Sequence, residues 1–398
     1  GERAVEDALP VFAPFTKIGY FDPGEARAVG YRIPALRGQR LIVEIDAEGS
    51  DDSTWLFVDL YRQRNNGAST PVHVAAADPN RQLLDFVAYW DGEYVLRVQP
   101  ELLRGGRYRL AVRNAPSLSF PVSNHDSRAI RSTFGDPRDG GGRSHQGVDI
   151  FAPRGTPVVA TTAGRVTFVG TNRLGGRVVW LRDSQRGQSF YYAHLDSQVV
   201  GRGTVVGPGD TLGLVGNSGN ARTTPPHLHF GVYVRGYGAV NPSPYVAMPS
   251  RREVPLRADT STLGQLARVR EAGLLFAGPS RHMEVLRELE PRTAVRLLAG
   301  VGSWYQVQLP DGTEGFITSS LAESIDRPLR TTRLANATLI RARPWVTAVP
   351  KRVLEPGATV SVVARFANYL FVRSEDGTTG WWDPVEGPRS TATAAGGI

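Results

Sequence analysis

The amino-acid sequence predicts a mainly β chain: an N-terminal β-sandwich, a β-rich central core and two small β units behind it. Apolar stretches are short and rich in Val, Leu, Tyr, Trp and Thr, and several alternate with polar residues, the period of a half-buried strand. Glycine and proline are plentiful, 44 and 28 of 398 residues, and punctuate the chain with turns. The last third repeats itself at a constant offset of 65 residues, pairing Pro279 with Pro344, Glu290-Pro291 with Glu355-Pro356, and Asp311-Gly-Thr313 with Asp376-Gly-Thr378. Several coincidences at one spacing, without a gap, mark two copies of one unit.

The N-terminal sandwich is assigned to residues 1–122. Its strands are Arg40-Leu-Ile-Val-Glu-Ile45, Trp55-Leu-Phe-Val-Asp-Leu-Tyr61, Tyr94-Val-Leu-Arg-Val98 and Tyr108-Arg-Leu-Ala-Val112, with turn signals at Asp91-Gly92 and Gly105-Gly106. In strand rhythm it resembles the pre-peptidase accessory domains of secreted bacterial peptidases. The central block, residues 123–250, ends in a Pro/Ser-rich boundary from Asn241-Pro-Ser-Pro-Tyr245 through Met248-Pro-Ser250. The two repeats occupy 264–325 and 331–388. Each reads as strand, Glu-Pro turn, strand, aromatic-bearing strand, Asp-Gly hairpin and Gly-aromatic, and so resembles the bacterial SH3-like barrels appended to cell-wall enzymes. Trp304, Tyr305, Tyr369, Trp381 and Trp382 either close the two small cores or face a ligand. The tail from Thr391 to Ile398 is expected to be disordered.

Composition narrows the function classes. A chain of 398 residues accommodates two to four domains. No apolar run reaches the roughly eighteen residues of a membrane-spanning helix, and no secretory signal is visible. Cysteine is absent, which suits the cytosol and also an oxidising envelope where a stray thiol is a liability. The net charge of +8 is carried almost wholly by arginine, with Lys17 and Lys351 the only lysines. That excess fits either a dispersed solvated surface or attraction to a polyanion such as nucleic acid, an anionic membrane or a cell-wall polymer. No reader motif or basic helix supports nucleic acid.

The chemistry-bearing residues gather in the central block as His145-Gln-Gly-Val-Asp149, Tyr192-Ala-His194 and His227-Leu-His229. Four imidazoles and one carboxylate supply the ingredients of a catalytic zinc site, three ligands with spare imidazoles for proton transfer. Fully extended, His145 and Asp149 would stand about 13 Å apart, too far for one ion. Gly147 suggests a bend or bulge that brings them together. His227 and His229 point to one face of a strand while Leu228 and Phe230 face the core.

These segments, with Phe134-Gly135, Gly155-Thr-Pro-Val158 to Gly164, Gly176, Gly209-Asp210, Leu212-Gly213, Gly216-Asn-Ser-Gly219 and Pro226-His-Leu-His-Phe230, closely resemble the lysostaphin/LytM-type zinc endopeptidases of bacterial peptidoglycan. The resemblance implies one Zn²⁺ per chain held by His145, Asp149 and His229, with His194 and His227 as the catalytic pair. It implies hydrolysis of peptide cross-links in peptidoglycan, export to the periplasm or outside the cell, and a monomer that binds no nucleic acid. The barrels would tether the enzyme to the wall. Glycine-bridge cleavers of this type commonly carry a tyrosine six positions before the first zinc histidine. Asp139 stands there instead, which points to direct stem-peptide cross-links ending in D-alanine.

Two other readings have a sequence basis. Gly216-Asn-Ser218-Gly219 is similar to a serine-peptidase signature, though asparagine replaces the expected aspartate. A catalytically silent scaffold that regulates other wall hydrolases would share the fold but lose ligands, and here every ligand is retained. His73, His125 and His282 fall outside the motif and receive no role.

Overall fold

The structure is a computed structural model that describes residues 2–25, 27–48, 56–63, 70–78, 80–248 and 251–385. Trp55 and the tail from Thr391 to Ile398 lie outside the described residues.

The N-terminal region packs two sheets face to face. In one, Val29–Ala35, Gly92–Pro100 and Leu56–Arg62 lie side by side. In the other, Phe15–Phe21, Gly106–Pro116, Gln39–Glu48 and Leu83–Val87 follow one another. Alternation explains the contact: Tyr31, Ile33 and Ala35 face inward from one sheet, and Leu41, Val43 and Ile45 from the other.

The second of these sheets does not stop at the sandwich. Phe15–Phe21 also pairs antiparallel with Ala294–Val301, Ile18 opposite Gly300 and Gly19 opposite Ala299. The N-terminal region and the first repeat therefore share one continuous sheet. Ion pairs cross the seam between Arg27 and Glu314 at 2.6 Å and between Arg296 and Asp22 at 2.6 Å. Lys17 is buried there, 2% exposed, and donates to Gln306 Oε1 at 2.8 Å. Burial, then the neighbouring Arg27, lowers the Lys17 pKa to about 7.

The two repeats have the same strand order. Val285–Leu289, Gly273–Phe276, Glu314–Thr318, Trp304–Gln308 and Ala294–Val301 are successive neighbours in the first. Pro350–Leu354, Thr338–Arg341, Thr379–Trp382, Tyr369–Ser374 and Thr359–Phe366 are their counterparts in the second. The Asp-Gly hairpins owe their shape to glycine in the left-handed region, Gly312 at φ 92° and Gly377 at φ 84°. In each hairpin the aspartate accepts from a backbone N–H two residues on. Tyr305, Tyr369 and Trp381 are buried in the cores, whereas Trp304 and Trp382 keep part of their surface exposed.

The central block is a ten-stranded sheet among the described residues. Its backbone order places Ile130–Ser132, Val148–Phe151, His227–Val234, Gln188–Gln198, Gly176–Asp183 and Gly164–Asn172 side by side. Val148, Ile150, Leu228, Phe230, Val232, Phe190, Tyr192 and Leu181 have no exposed surface and form one apolar layer. At about 25 cal/mol per Å² of buried apolar area, each such side chain contributes about 2 kcal/mol. That layer, drawn from four adjacent strands, fixes the alternate residues of Val148–Phe151 and His227–Val234 on the opposite face, where the polar cluster lies.

Candidate metal centre and active site

Register builds the centre. Asp149 stands directly opposite His229, and His229 directly opposite Ala193, so three adjacent strands deliver Asp149, His229 and the neighbouring His194 to one place. Phe151 stands opposite His227 in the same ladder. His145 enters from the segment before Val148–Phe151. Gly147 permits that entry, since a Cβ there would sit 2.5 Å from the Phe230 carbonyl oxygen and 2.7 Å from the His229 ring. The close approach of backbone to imidazole needs glycine.

Three donor atoms converge. His145 Nε2 lies 3.0 Å from Asp149 Oδ1 and 2.9 Å from His229 Nδ1, and His229 Nδ1 lies 3.0 Å from Asp149 Oδ1. The opposite ring nitrogen of His145, Nδ1, is 2.8 Å from the Thr133 carbonyl oxygen, which assigns the proton to Nδ1 and leaves a lone pair on Nε2. Lone pairs and a carboxylate crowded this closely repel one another unless a cation shares them. Ligands at about 2.0–2.1 Å from a tetrahedral ion sit about 3.3 Å apart, a few tenths of an ångström from the spacing here. The donor set of two imidazoles and one carboxylate, with the remaining positions open, fits a small divalent ion such as zinc.

The carboxylate is held from behind. Asp149 Oδ2 accepts from Arg138 Nη2 at 2.8 Å, leaving Oδ1 for the centre. Burial alone would raise the Asp149 pKa, but the close approach of the His145 and His229 imidazoles outweighs it and holds the carboxyl well below its usual range. Arg138 also donates to Ser132 Oγ, which donates to Asp136 Oδ2 at 2.9 Å. Such outer contacts orient metal ligands. Arg138 is the functional residue that the sequence analysis missed, and its signal was its place four residues after Phe134, in the segment leading to His145.

His194 and His227 form a separate pair with ring centroids 5.0 Å apart, His194 being 5.9 Å from the His229 ring. Each gives its Nδ1 proton to a backbone carbonyl, His194 to Ser218 at 2.9 Å and His227 to Pro225 at 2.9 Å. Among the described residues neither Nε2 has a hydrogen-bond partner. Burial, then the neighbouring His227, lowers the His194 pKa to about 4. His194 is therefore neutral at physiological pH, with Nε2 able to accept a proton. Its φ of 62° is unusual for a non-glycine residue. It sits where the pairing of Gln188–Gln198 with its neighbours shifts register, and such bulges re-aim side chains beside active sites.

Ser218 does not meet an imidazole through its hydroxyl. Its Oγ donates to the Leu195 carbonyl at 2.7 Å and accepts from the Arg177 N–H at 2.9 Å. The serine acts as a loop clasp, and the serine-peptidase geometry is absent. His73 pairs with Asp59 and His125 with the Ser123 carbonyl, both away from the three converging donor atoms. Asp139 lies in a short 3₁₀ segment, Asp139–Gly141, and its side chain is outside what the structure describes.

Residues 143–242 match the family model of Peptidase family M23. The chain is 42% identical over 123 residues to an L-Ala–D-Glu endopeptidase of Bacillus subtilis, covering 29% of this chain and 37% of that protein. It is 35% identical over 122 residues to the peptidoglycan DD-endopeptidase ShyC of Vibrio cholerae, covering 30% of this chain and 28% of the relative. Among solved structures, the catalytic domain of lysostaphin from Staphylococcus simulans is similar at 31% identity, with a TM-score of 0.27. That match covers 29% of this chain and 89% of the lysostaphin domain. The chain thus spans well under half the length of these two curated relatives. The segment from 143 to 242, which supplies all three converging donor atoms and both neighbouring imidazoles, is a peptidase family M23 domain.

Proposed function

We propose that this protein is a zinc metalloendopeptidase that hydrolyses peptide cross-links of bacterial peptidoglycan in the cell envelope or outside the cell. The observation that carries this reading is the pairing of two sets of imidazoles. In one, His145 Nε2 and His229 Nδ1 converge with Asp149 Oδ1; in the other, His194 and His227 keep Nε2 unpartnered beside them.

His145, Asp149 and His229 would hold one Zn²⁺. Bound there, zinc supplies Lewis-acid polarisation of a carbonyl and acidification of a water molecule. The chain's own residues do the rest. Neutral His194 accepts the proton of the attacking water at Nε2. His227, the second member of the pair, steadies the developing oxyanion, and the proton held on the pair passes to the leaving amine. Arg138 would hold Asp149 through Oδ2, leaving Oδ1 toward the centre, and would offset its charge.

The substrate assignment is supported by the relatives, whose names specify an L-Ala–D-Glu endopeptidase and a peptidoglycan DD-endopeptidase. Asp139, in place of a tyrosine, favours stem-peptide cross-links over glycine bridges. The two repeats, as SH3-like units spanning 264–325 and 331–388, would tether the enzyme to the wall and raise the local substrate concentration. Among the described residues no helix is long and apolar enough to cross a membrane.

The test is digestion of purified sacculi by the full chain, with released muropeptides identified by mass. Cleavage that stops with a chelator and returns with zinc is expected. Cleavage insensitive to chelation would overturn the zinc mechanism. A chain that binds no zinc and leaves sacculi intact would overturn the enzyme reading. For the tether, removing residues 331–398 should weaken sacculus binding, and unchanged binding would discard that role.

A further inference from the structure

Beside the centre lies a cavity of about 550 Å³ that the proposed mechanism leaves without a role, bordered by His125, Arg128, Arg131, Phe151, Pro225 and Pro226. It shares two walls with the catalytic pair. The Phe151 ring stacks on the His227 ring at 5.0 Å and 25°, and the Pro225 carbonyl accepts the His227 Nδ1 proton. Anything bound there touches the elements that orient His227.

Arg131 is the singular member. In a regular ladder, with Ile130 opposite Ile150, Arg131 would stand opposite Asp149 on the face of the centre. Instead the register slips: Ile130 stands opposite Ile150 and Ser132 opposite Asp149, so two residues of one strand span a single step of the other. The slip makes Arg131 the extra residue of a bulge. Its guanidinium carbon is carried to 5.6 Å from the Phe151 ring centroid. Arg128 is already matched by Asp126 at 2.6 Å. Arg131 is exposed and has no carboxylate partner among the described residues. The cavity thus holds one guanidinium in surplus, on an aromatic platform, facing open space. A planar guanidinium so placed is suited to a carboxylate.

We propose, resting on the peptidase reading above, that this cavity is a substrate subsite in which Arg131 binds a carboxylate carried by the peptide near the scissile bond. The two contacts place the Arg131 guanidinium no more than about 11 Å from the His227 ring, two to three residues of extended peptide. The ligand class is therefore an acidic peptide with its free carboxylate two or three residues from the cleaved bond. Arg131 is a specificity residue and takes no part in the proton transfers.

The test compares one probe in two forms: a cross-linked muropeptide dimer as the free acid, and the same dimer with its carboxylates converted to carboxamides. For the unaltered full chain, kcat/KM should fall about ten- to a hundred-fold on amidation, as expected for loss of a charge-assisted pair. Arg131→Ala should lower kcat/KM for the free acid by a similar factor, mainly through KM, and leave the amidated dimer unaffected. Arg131→Lys should recover part of the loss. Equal effects of Arg131→Ala on both forms would assign the residue to support of Phe151 and His227 and overturn the subsite. No effect on either form would overturn it as well. Failure of the unaltered chain to cleave either dimer would count against the peptidase reading itself.

Discussion

The histidine–aspartate centre and the seam around Lys17 are both polar and buried, yet they are organised differently. In the centre four of the five side chains have a backbone or side-chain partner that sets their orientation: Thr133 for His145, Arg138 for Asp149, Ser218 for His194, Pro225 for His227. The remaining donor atoms of His145, Asp149 and His229 converge on one another. At the seam a single ammonium meets one amide oxygen, from Gln306, and burial pushes its pKa down to about 7. One arrangement awaits a cation, whereas the other sheds a proton to become tolerable. Burial of polar groups is thus informative about function when the partners are arranged around a shared void, and less so when a lone group gives up its charge.

Substitutions should separate the two regions. The largest effect is expected from His145→Ala, which removes a proposed zinc ligand. Zinc content per chain should fall to near zero and muropeptide release below detection, with the fold retained by circular dichroism. His194→Asn, chosen because asparagine tolerates positive φ, should keep zinc and lose about 10²- to 10⁴-fold in kcat. Wild-type turnover in that variant would break the division between metal ligands and proton carriers. Arg138→Ala should weaken zinc affinity by about 10- to 100-fold, measured by competition with a chelator.

The smallest effect belongs to the seam. The Lys17 pKa is about 7 folded against 10.5 for the ordinary side chain, so the unfolded chain binds more protons between those values. Stability should therefore rise as pH increases from about 7 to about 10.5, and the penalty should be constant below about 7. Lys17→Met should abolish that rise and stabilise the protein at pH 7 by about 1–3 kcal/mol, read by denaturant titration, with zinc binding unchanged. An unaltered pH slope would show that solvent reaches the ammonium.

The centre was largely legible because its side chains are rare types at telling spacings. His227-Leu-His229 declares a strand with two imidazoles on one face, and Gly147 announces a close approach. Arg138 was hidden because arginine supplies almost all of the 46 basic residues, and only its place in the segment leading to His145 marks this one. The carbonyls of Thr133, Ser218 and Pro225 set the imidazole tautomers, but they are backbone groups and carry no side-chain signature. The bulge that redirects Arg131 arises from pairing between strands, which a period of two along one strand cannot reveal. The shared sheet was illegible for the same reason. Edge pairing of Phe15–Phe21 with Ala294–Val301 is mostly main-chain hydrogen bonding across great separation.

That pairing also dictates an order of events during synthesis. Ile18 cannot meet Gly300 until roughly 280 further residues have been made, by which time the whole peptidase segment has emerged. Closing so long a loop costs little more entropy than closing one half its length. The delay has a different price: until the first repeat arrives, the Phe15–Phe21 strand presents a free edge to other nascent chains. A protein ending at residue 250 would carry that edge permanently and should self-associate in light scattering, whereas one lacking only residues 331–398 should remain dispersed. The first repeat thus serves as the stopper that completes the N-terminal sheet, whatever else it binds.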